Sequence, residues 1–243
     1  MAHASETALF GGPSRPWKTH DWTSSDDRVR GGESVSTLTV DQQTGAATFS
    51  GHLDITALGG AGFASQRTVD DHPDFNLSGY DSLYLDIPES DGKKYTLVLK
   101  DTVLSKRPDG REQSTVSWEH DFHGDSGRQV VLRFADFKPT YRGKPKDDAE
   151  PLDWSAVKRV SIMIRSFFGQ QEGDFNLVIS SITAHAKDDD AASPSAAAAM
   201  ARVDSCITES SIRKEAAAVG VEPQGGNRVT AFVAKTLCWR SRG

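Results

Sequence analysis

Three stretches alternate apolar and polar side chains so regularly that extended chain is the backbone that suits them. Leu83, Leu85 and Ile87 alternate with Tyr84 and Asp86, and Tyr95, Leu97 and Leu99 alternate with Thr96, Val98 and Lys100. Val160, Ile162 and Ile164 repeat the pattern within residues 159–165. Successive side chains on a strand point to opposite faces, so a period of two collects each apolar triplet on one buried face. A fully buried Leu, Ile or Phe contributes about 1.5–3 kcal/mol, so such stripes outweigh the cost of ordering long loops.

Shorter strands are expected at 36–40, 47–53, 63–69, 114–118 and 129–134, with a last one from Asp174 through Ile179. Gln42, Gln43, Thr44 and Gly45 make a hairpin turn between the first two, and Ser90-Asp91-Gly92 predicts a hairpin joining 83–87 to 95–99. In the last strand the inward parity slips from Ile179 to Ile182 and Ala184, which predicts a bulge between them. One short helix is expected near 153–157 with Asp153 as its cap. Short strands with turn-rich links predict an all-β sandwich.

The chain divides into a Gly/Pro-rich lead-in (1–20), the sandwich (21–187) and a low-complexity tail (188–243) expected to be mostly disordered. The tail holds 7 basic and 7 acidic residues, so the whole net charge of −6 falls on residues 1–187. An acidic balance, with pI near 5.6, argues against nucleic acid as a partner, because that binding needs a basic face. The two cysteines, Cys206 and Cys238, are too few for a disulfide scaffold or a four-cysteine zinc site and suit a reducing compartment. No apolar run approaches the roughly 18–20 residues of a membrane span. The N-terminus has neither an apolar signal core nor the Arg- and Ser-rich pattern of a transit peptide, which leaves a cytoplasmic location open and makes the Asn76-Leu77-Ser78 sequon a coincidence.

Chemistry-bearing patterns are few. Gly60-Ala61-Gly62-Phe63-Ala64-Ser65 begins like a dinucleotide fingerprint, but polar residues and Pro73 follow where a helix should open, so a tight turn is expected. His120 and His123 stand three apart on a strand and face opposite sides, so no metal site is expected. Paired acids lie in charged loops where nothing separates their proton affinities, and neither an activated nucleophile nor a Gly-x-Ser-x-Gly elbow occurs. These absences predict a protein without enzymatic activity or cofactor.

The strongest local feature is Ser24-Ser25-Asp26-Asp27-Arg28-Val29-Arg30-Gly31-Gly32. Guanidinium forks match carboxylates, so Asp26 and Asp27 with Arg28 and Arg30 are expected to clamp this loop, on its own fold or on a ligand. Binding chemistry is otherwise expected from aromatic and cationic loops. Tyr141 and Arg142 lie in one, Phe167 and Gln171 in another, and Arg67 ends the segment that starts at Gly60. In this reading Asp26, Asp27, Arg28, Arg30 and Arg67 brace the loops, while Tyr141, Arg142, Phe167 and Gln171 contact a partner.

Several separated motifs, in order across residues 9–186, resemble the complex I intermediate-associated protein family, the assembly factors of NADH:ubiquinone oxidoreductase. They are 21–32 (Asp21-Trp22-Thr23 and the loop above), 59–67, 138–143 (Lys138-Pro139-Thr140-Tyr141-Arg142-Gly143) and 166–175. The resemblance, closest to short fungal members, implies a jelly-roll sandwich like that of galactose-binding domains. It also implies a non-enzymatic mitochondrial role, binding complex I subunits or assembly intermediates. A carbohydrate or small-ligand binding module is the alternative by fold analogy, with a glycan as partner.

Overall fold

A computed structural model describes residues 5–186, folded as an antiparallel β-sandwich. In chain order its strands are β1 (Glu6–Phe10), β2 (Trp22–Ser24), β3 (Val35–Val40), β4 (Ala47–Leu53), β5 (Phe63–Thr68), β6 (Ser82–Ile87), β7 (Glu89–Ser90), β8 (Lys94–Lys100), β9 (Ser117–His123), β10 (Arg128–Arg133), β11 (Lys138–Tyr141), β12 (Lys144–Pro145), β13 (Arg159–Arg165), β14 (Gly173–Ile179) and β15 (Ser181–His185). One layer is a seven-stranded sheet ordered β12-β11-β9-β8-β13-β5-β2. The other consists of two four-stranded ladders, β1-β15-β6-β10 and β3-β4-β14-β7. The predicted stripes form the core between them: Leu83, Leu85, Ile87, Tyr95, Leu97, Leu99, Val160, Ile162 and Ile164 are all fully buried.

The parity slip falls where expected. β14 pairs with β4 up to Ile179, the ladder breaks at Ser180, and β15 resumes on β6 with Ser181 opposite Asp86. Ile179 and Ile182 both face inward because Ser180 takes up the extra residue. The Trp17 indole donates to the Ser180 carbonyl at 3.0 Å, satisfying a group the break leaves without a strand partner. The Gln42–Gly45 turn likewise joins β3 to β4, with Val40 opposite Ala47.

Three expectations are corrected. β6 and β8 do not form a hairpin; they lie in opposite layers, and residues 88–93 carry the chain across the end of the sandwich. Both stripes are wholly apolar on one face, so each must meet the other across the core, which outweighs a local turn signal. Residues 153–157 form a turn instead of a helix: Asp153 caps it through the Ser155 amide at 2.9 Å, and Val157 exchanges backbone bonds with Phe75. The third concerns the strand expected at 114–118, which starts at Ser117 and runs on through His123. Part of the lead-in also joins the sandwich, since β1 lies antiparallel to β15. The tail and its two cysteines lie outside the described residues.

The Asp26–Arg30 clamp also differs from expectation. Asp27–Arg30 forms one turn of 3-10 helix, closed by Gly31 in the left-handed region at φ 83°. Asp27 is fully buried and accepts from the Ser34 amide (3.1 Å), the Ser34 hydroxyl (2.7 Å) and the Phe63 amide (3.0 Å). Asp26 accepts from the Ser36 hydroxyl (2.6 Å), the Ser36 amide (3.1 Å) and the Ser65 amide (2.9 Å). Ser34 and Ser36 belong to the β3 side of one layer, and Phe63 and Ser65 to β5 of the other. Two carboxylates therefore stitch the layers together, and no arginine takes part. Arg28 points to solvent with no ion pair among the described residues, and Arg30 lies over the Phe63 ring, 5.4 Å from its centroid. Buried amide donors are better served by a short acid acting alone, since an arginine would have to be desolvated alongside it.

Asp27→Ala is predicted to cost at least about 3 kcal/mol, because three buried donors lose their acceptor, whereas Arg28→Ala should cost close to zero; chemical denaturation of each distinguishes them. Gly32→Ala should be comparably damaging, since a Cβ there would meet the Asp27 carboxylate at 2.3 Å. Burial raises the Asp26 pKa above its usual 3.8, against the pull of the Ser36 and Ser65 donors. The folded state thus holds that proton more tightly than the unfolded chain, and stability falls as pH rises from 3.8 through the folded value. Asp26→Asn is predicted to flatten that part of a Tm-against-pH curve.

Candidate functional site

The face of the seven-stranded sheet turned away from the core is where polar chemistry collects. Val160, Ile162 and Ile164 of β13 face the core, so Arg159, Ser161, Met163 and Arg165 face outward. Register places Arg67, Ser65 and Phe63 of β5 opposite Ser161, Met163 and Arg165. On the other side β8 sets Lys100, Val98 and Thr96 beside Arg159, Ser161 and Met163. β9 then adds Glu119 opposite Val98 and Asp121 opposite Thr96. Ser65, Thr96 and Ser161 are buried between longer charged neighbours, so the face has a polar floor.

At one end of these strands Arg67 and Arg159, both buried, share two carboxylates. Arg67 binds Asp70 (3.0 Å) and Glu112; Arg159 binds Asp70 (2.6 Å) and Glu112 (2.9 Å). Burial alone would raise the Asp70 pKa, but Arg67, Arg159 and Lys106 outweigh it and hold the carboxyl below its usual range. Glu112 lies in the 101–116 connection, so the network fastens that loop to the sheet. Lys100, beside Arg159, donates to the Thr115 hydroxyl at 3.1 Å, and burial together with the nearby guanidinium lowers its pKa. Arg67 thus ties down a loop, through Asp70 three residues on and Glu112 far away in sequence.

At the opposite end Arg165 binds Glu119 (2.7 Å) and Asp121 (2.6 Å). Two cations lie near the Phe167 ring, Lys94 4.3 Å and Arg165 4.7 Å from its centroid. Gln171 does not face a partner as expected: its amide donates to the carbonyls of Lys94 (2.8 Å) and Arg165 (2.7 Å) and accepts from the Lys94 amide (3.0 Å). It splices the 166–171 turn onto β8 and β13. Tyr141 stands exposed on the β11–β12 hairpin with the Arg142 guanidinium 5.4 Å from its ring centroid, and Arg142 donates to the Ser114 hydroxyl at 3.1 Å.

The residues expected to act together therefore divide. Arg67, Tyr141 and Arg142 lie toward the Lys100 end of the strands, and Asp26, Arg28, Arg30, Phe167 and Gln171 toward the Lys94 end. Six residues of β8 separate those ends, about 20 Å at the rise of an extended strand. Lys94, Arg159 and Arg165 had escaped notice as site residues. Their signal was the parity of their strands: each takes the position opposite a buried apolar residue. His120 and His123 do not converge on a metal; the His120 ring contacts the Asp121 carbonyl and the Phe137 ring, and no group of three metal-ligating residues occurs among the described residues.

The fold resembles that of known proteins. The family 11 carbohydrate-binding module of a cellulosomal cellulase of Clostridium thermocellum superposes with a TM-score of 0.53, at 16% identity, over 76% of this chain and 97% of that one. The same module in complex with a β-1,3-1,4-mixed-linked tetrasaccharide gives 0.51 at 16% identity, over 76% and 98%. At such identity the likeness concerns the sandwich fold alone. In sequence, an uncharacterized protein of Schizosaccharomyces pombe is 43% identical over 182 residues, which is 72% of this chain and 82% of that protein. Residues 9–179 match the family described as complex I intermediate-associated protein 30, so the sandwich with its acid-stitched loop and polar outer face belongs to that family.

Proposed function

We propose that the chain is a non-enzymatic binding scaffold that holds partner proteins, in mitochondria assembly intermediates of respiratory complex I, against loops at the end of its seven-stranded sheet. The observation that carries this reading is how the polar groups are used. Asp26, Asp27, Asp70, Glu112, Glu119 and Asp121 are engaged by hydroxyls, amides or guanidinium groups, while Tyr141 with Arg142 and Phe167 with Lys94 and Arg165 are presented at the rims. Aromatic rings and arginines at a rim suit protein contact, where they supply much of the binding energy. Family membership supports the choice of partner.

Affinity capture of the tagged chain followed by mass spectrometry tests this reading, and complex I subunits are the expected companions. Tyr141→Ala or Phe167→Ala is predicted to weaken that capture about tenfold or more while costing no more than about 1 kcal/mol of stability, the scale of an exposed cation–π contact. A large drop in Tm with either substitution would assign the ring to the fold instead.

A second reading, glycan binding, draws on the fold shared with the carbohydrate-binding module. The outer face argues against it, because mutually paired charges stand over its polar floor where a sugar face is best met by flat aromatic rings. The expected result is no micromolar binding of mixed-linked β-glucan tetrasaccharide in isothermal titration calorimetry. Saturable binding at that strength would restore the glycan reading.

A further inference from the structure

Three segments meet at one corner of the sandwich. The Phe63 amide donates to Asp27, and the Ser166 amide donates to the Gly62 carbonyl at 2.9 Å, so the 27–30 turn, residues 62–63 and the 166–169 turn lie side by side. Their side chains form a row of cations and rings: Arg30 over Phe63, Phe63 beside Arg165 across the β5–β13 register, then Arg165 and Lys94 against the Phe167 ring. Beyond the row stand two exposed apolar side chains, Val29 at 71% and Phe168 at 98% of full exposure.

Phe168 is the unusual member. Phe167, Phe168 and Gly169 have φ of 46°, 61° and 82°, three successive residues in the left-handed region. For a residue with a Cβ that conformation costs about 1–2 kcal/mol, and it is rare for a bulky one. Phe167 recovers the cost through its two cations. Phe168, almost wholly in solvent, has nothing within the described residues to offset it. Strain kept at an exposed aromatic marks a side chain held out for contact.

The charge of the corner identifies what it meets. In Asp26-Asp27-Arg28-Val29-Arg30 both acids turn inward onto serines and backbone amides, so the outer surface carries Arg28, Val29 and Arg30. On a chain of net charge −6 this leaves an apolar pair edged by Arg28 and Arg30, which have no carboxylate partner among the described residues, with the exposed Glu33 following in the same loop. We infer that Phe168 is the anchor by which this corner docks a partner protein, entering an apolar socket whose rim carries carboxylates that pair with Arg28 and Arg30. The inference rests on the scaffold reading above and names the residue that anchors the docking: Phe168, beyond the Phe167 and Tyr141 rims.

Photo-cross-linking of the full chain tests it. One form carries p-benzoylphenylalanine in place of Phe168 and another in place of Tyr141; each is irradiated in a whole-cell extract, and the cross-linked peptides are sequenced. The expected product at position 168 joins a second protein at an apolar residue flanked by Asp or Glu. Combining Arg28→Glu with Arg30→Glu should lower its yield about fivefold or more, as reversal of rim charge does. Phe168→Gly, which relieves the left-handed backbone, should keep or raise the Tm while releasing the partner.

A product from position 141 but not 168 would overturn the docking surface and leave the scaffold reading intact; no product from either would overturn both. Attachment to residues 187–243 of the same chain, to a segment without acids, or with a yield indifferent to the charge reversal would also overturn the inference. So would a fall in Tm above about 5 °C for Phe168→Gly, which would make the ring a structural one.

Discussion

Two carboxylates, one fully buried and one half-buried, hold the arrangement together. Asp26 and Asp27 each accept three hydrogen bonds from hydroxyl and amide donors, and in both cases the donors come from the β3 side and from β5. A sandwich joins its layers through apolar contact in the middle, but at its edge the backbone donors of the last strands need acceptors. Short acids reach them without bringing a large cation into the interior. Because the carboxylates are spent there, the arginines next to them in sequence are released to the surface. The same bonds set the position of Phe63 and, through Gly62 and Ser166, of the aromatic turn beyond it.

The seven-stranded sheet repeats that division of labour on a larger scale. Its inner face is aliphatic and tightly buried, while its outer face carries arginines and lysines bound to acids drawn from other strands and loops. Arg67 and Arg159 hold down the 101–116 connection, and Arg165 joins β13 to β9. Buried ion pairs of this kind add little net stability over an apolar replacement, but losing one partner leaves a charge uncompensated. They act as fasteners of loops whose own apolar content is low, and the stability of the domain comes mainly from the stripes beneath them.

Strands with strict alternation were legible because burial on one face leaves no other choice of register, and the slip at Ser180 was legible for the same reason. What misled was proximity in sequence. Asp27 and Arg28 are neighbours along the chain, yet the acid's partners are Ser34 and Phe63. Ser90-Asp91-Gly92 reads as a hairpin, yet the strands beside it separate into different layers because each offers an apolar face to the other. Gln171 looked available for recognition, but its amide is used by two strands. Arg159 and Arg165 were visible as the polar half of an alternating strand; their acids could not be found in the same way, since Asp70, Glu112 and Glu119 come from separate segments.

The pairing of β1 with β15 has a consequence for how the chain is made. Glu6 lies opposite His185 and Phe10 opposite Ile182, so the earliest strand finds its place only beside the latest. During synthesis, residues 6–10 leave the ribosome with an apolar edge and no neighbour until nearly the entire domain has emerged. Closure of such distant ends is slow and exposes the nascent chain to wrong partners. The sandwich therefore completes itself after translation of its final strand instead of growing from its beginning.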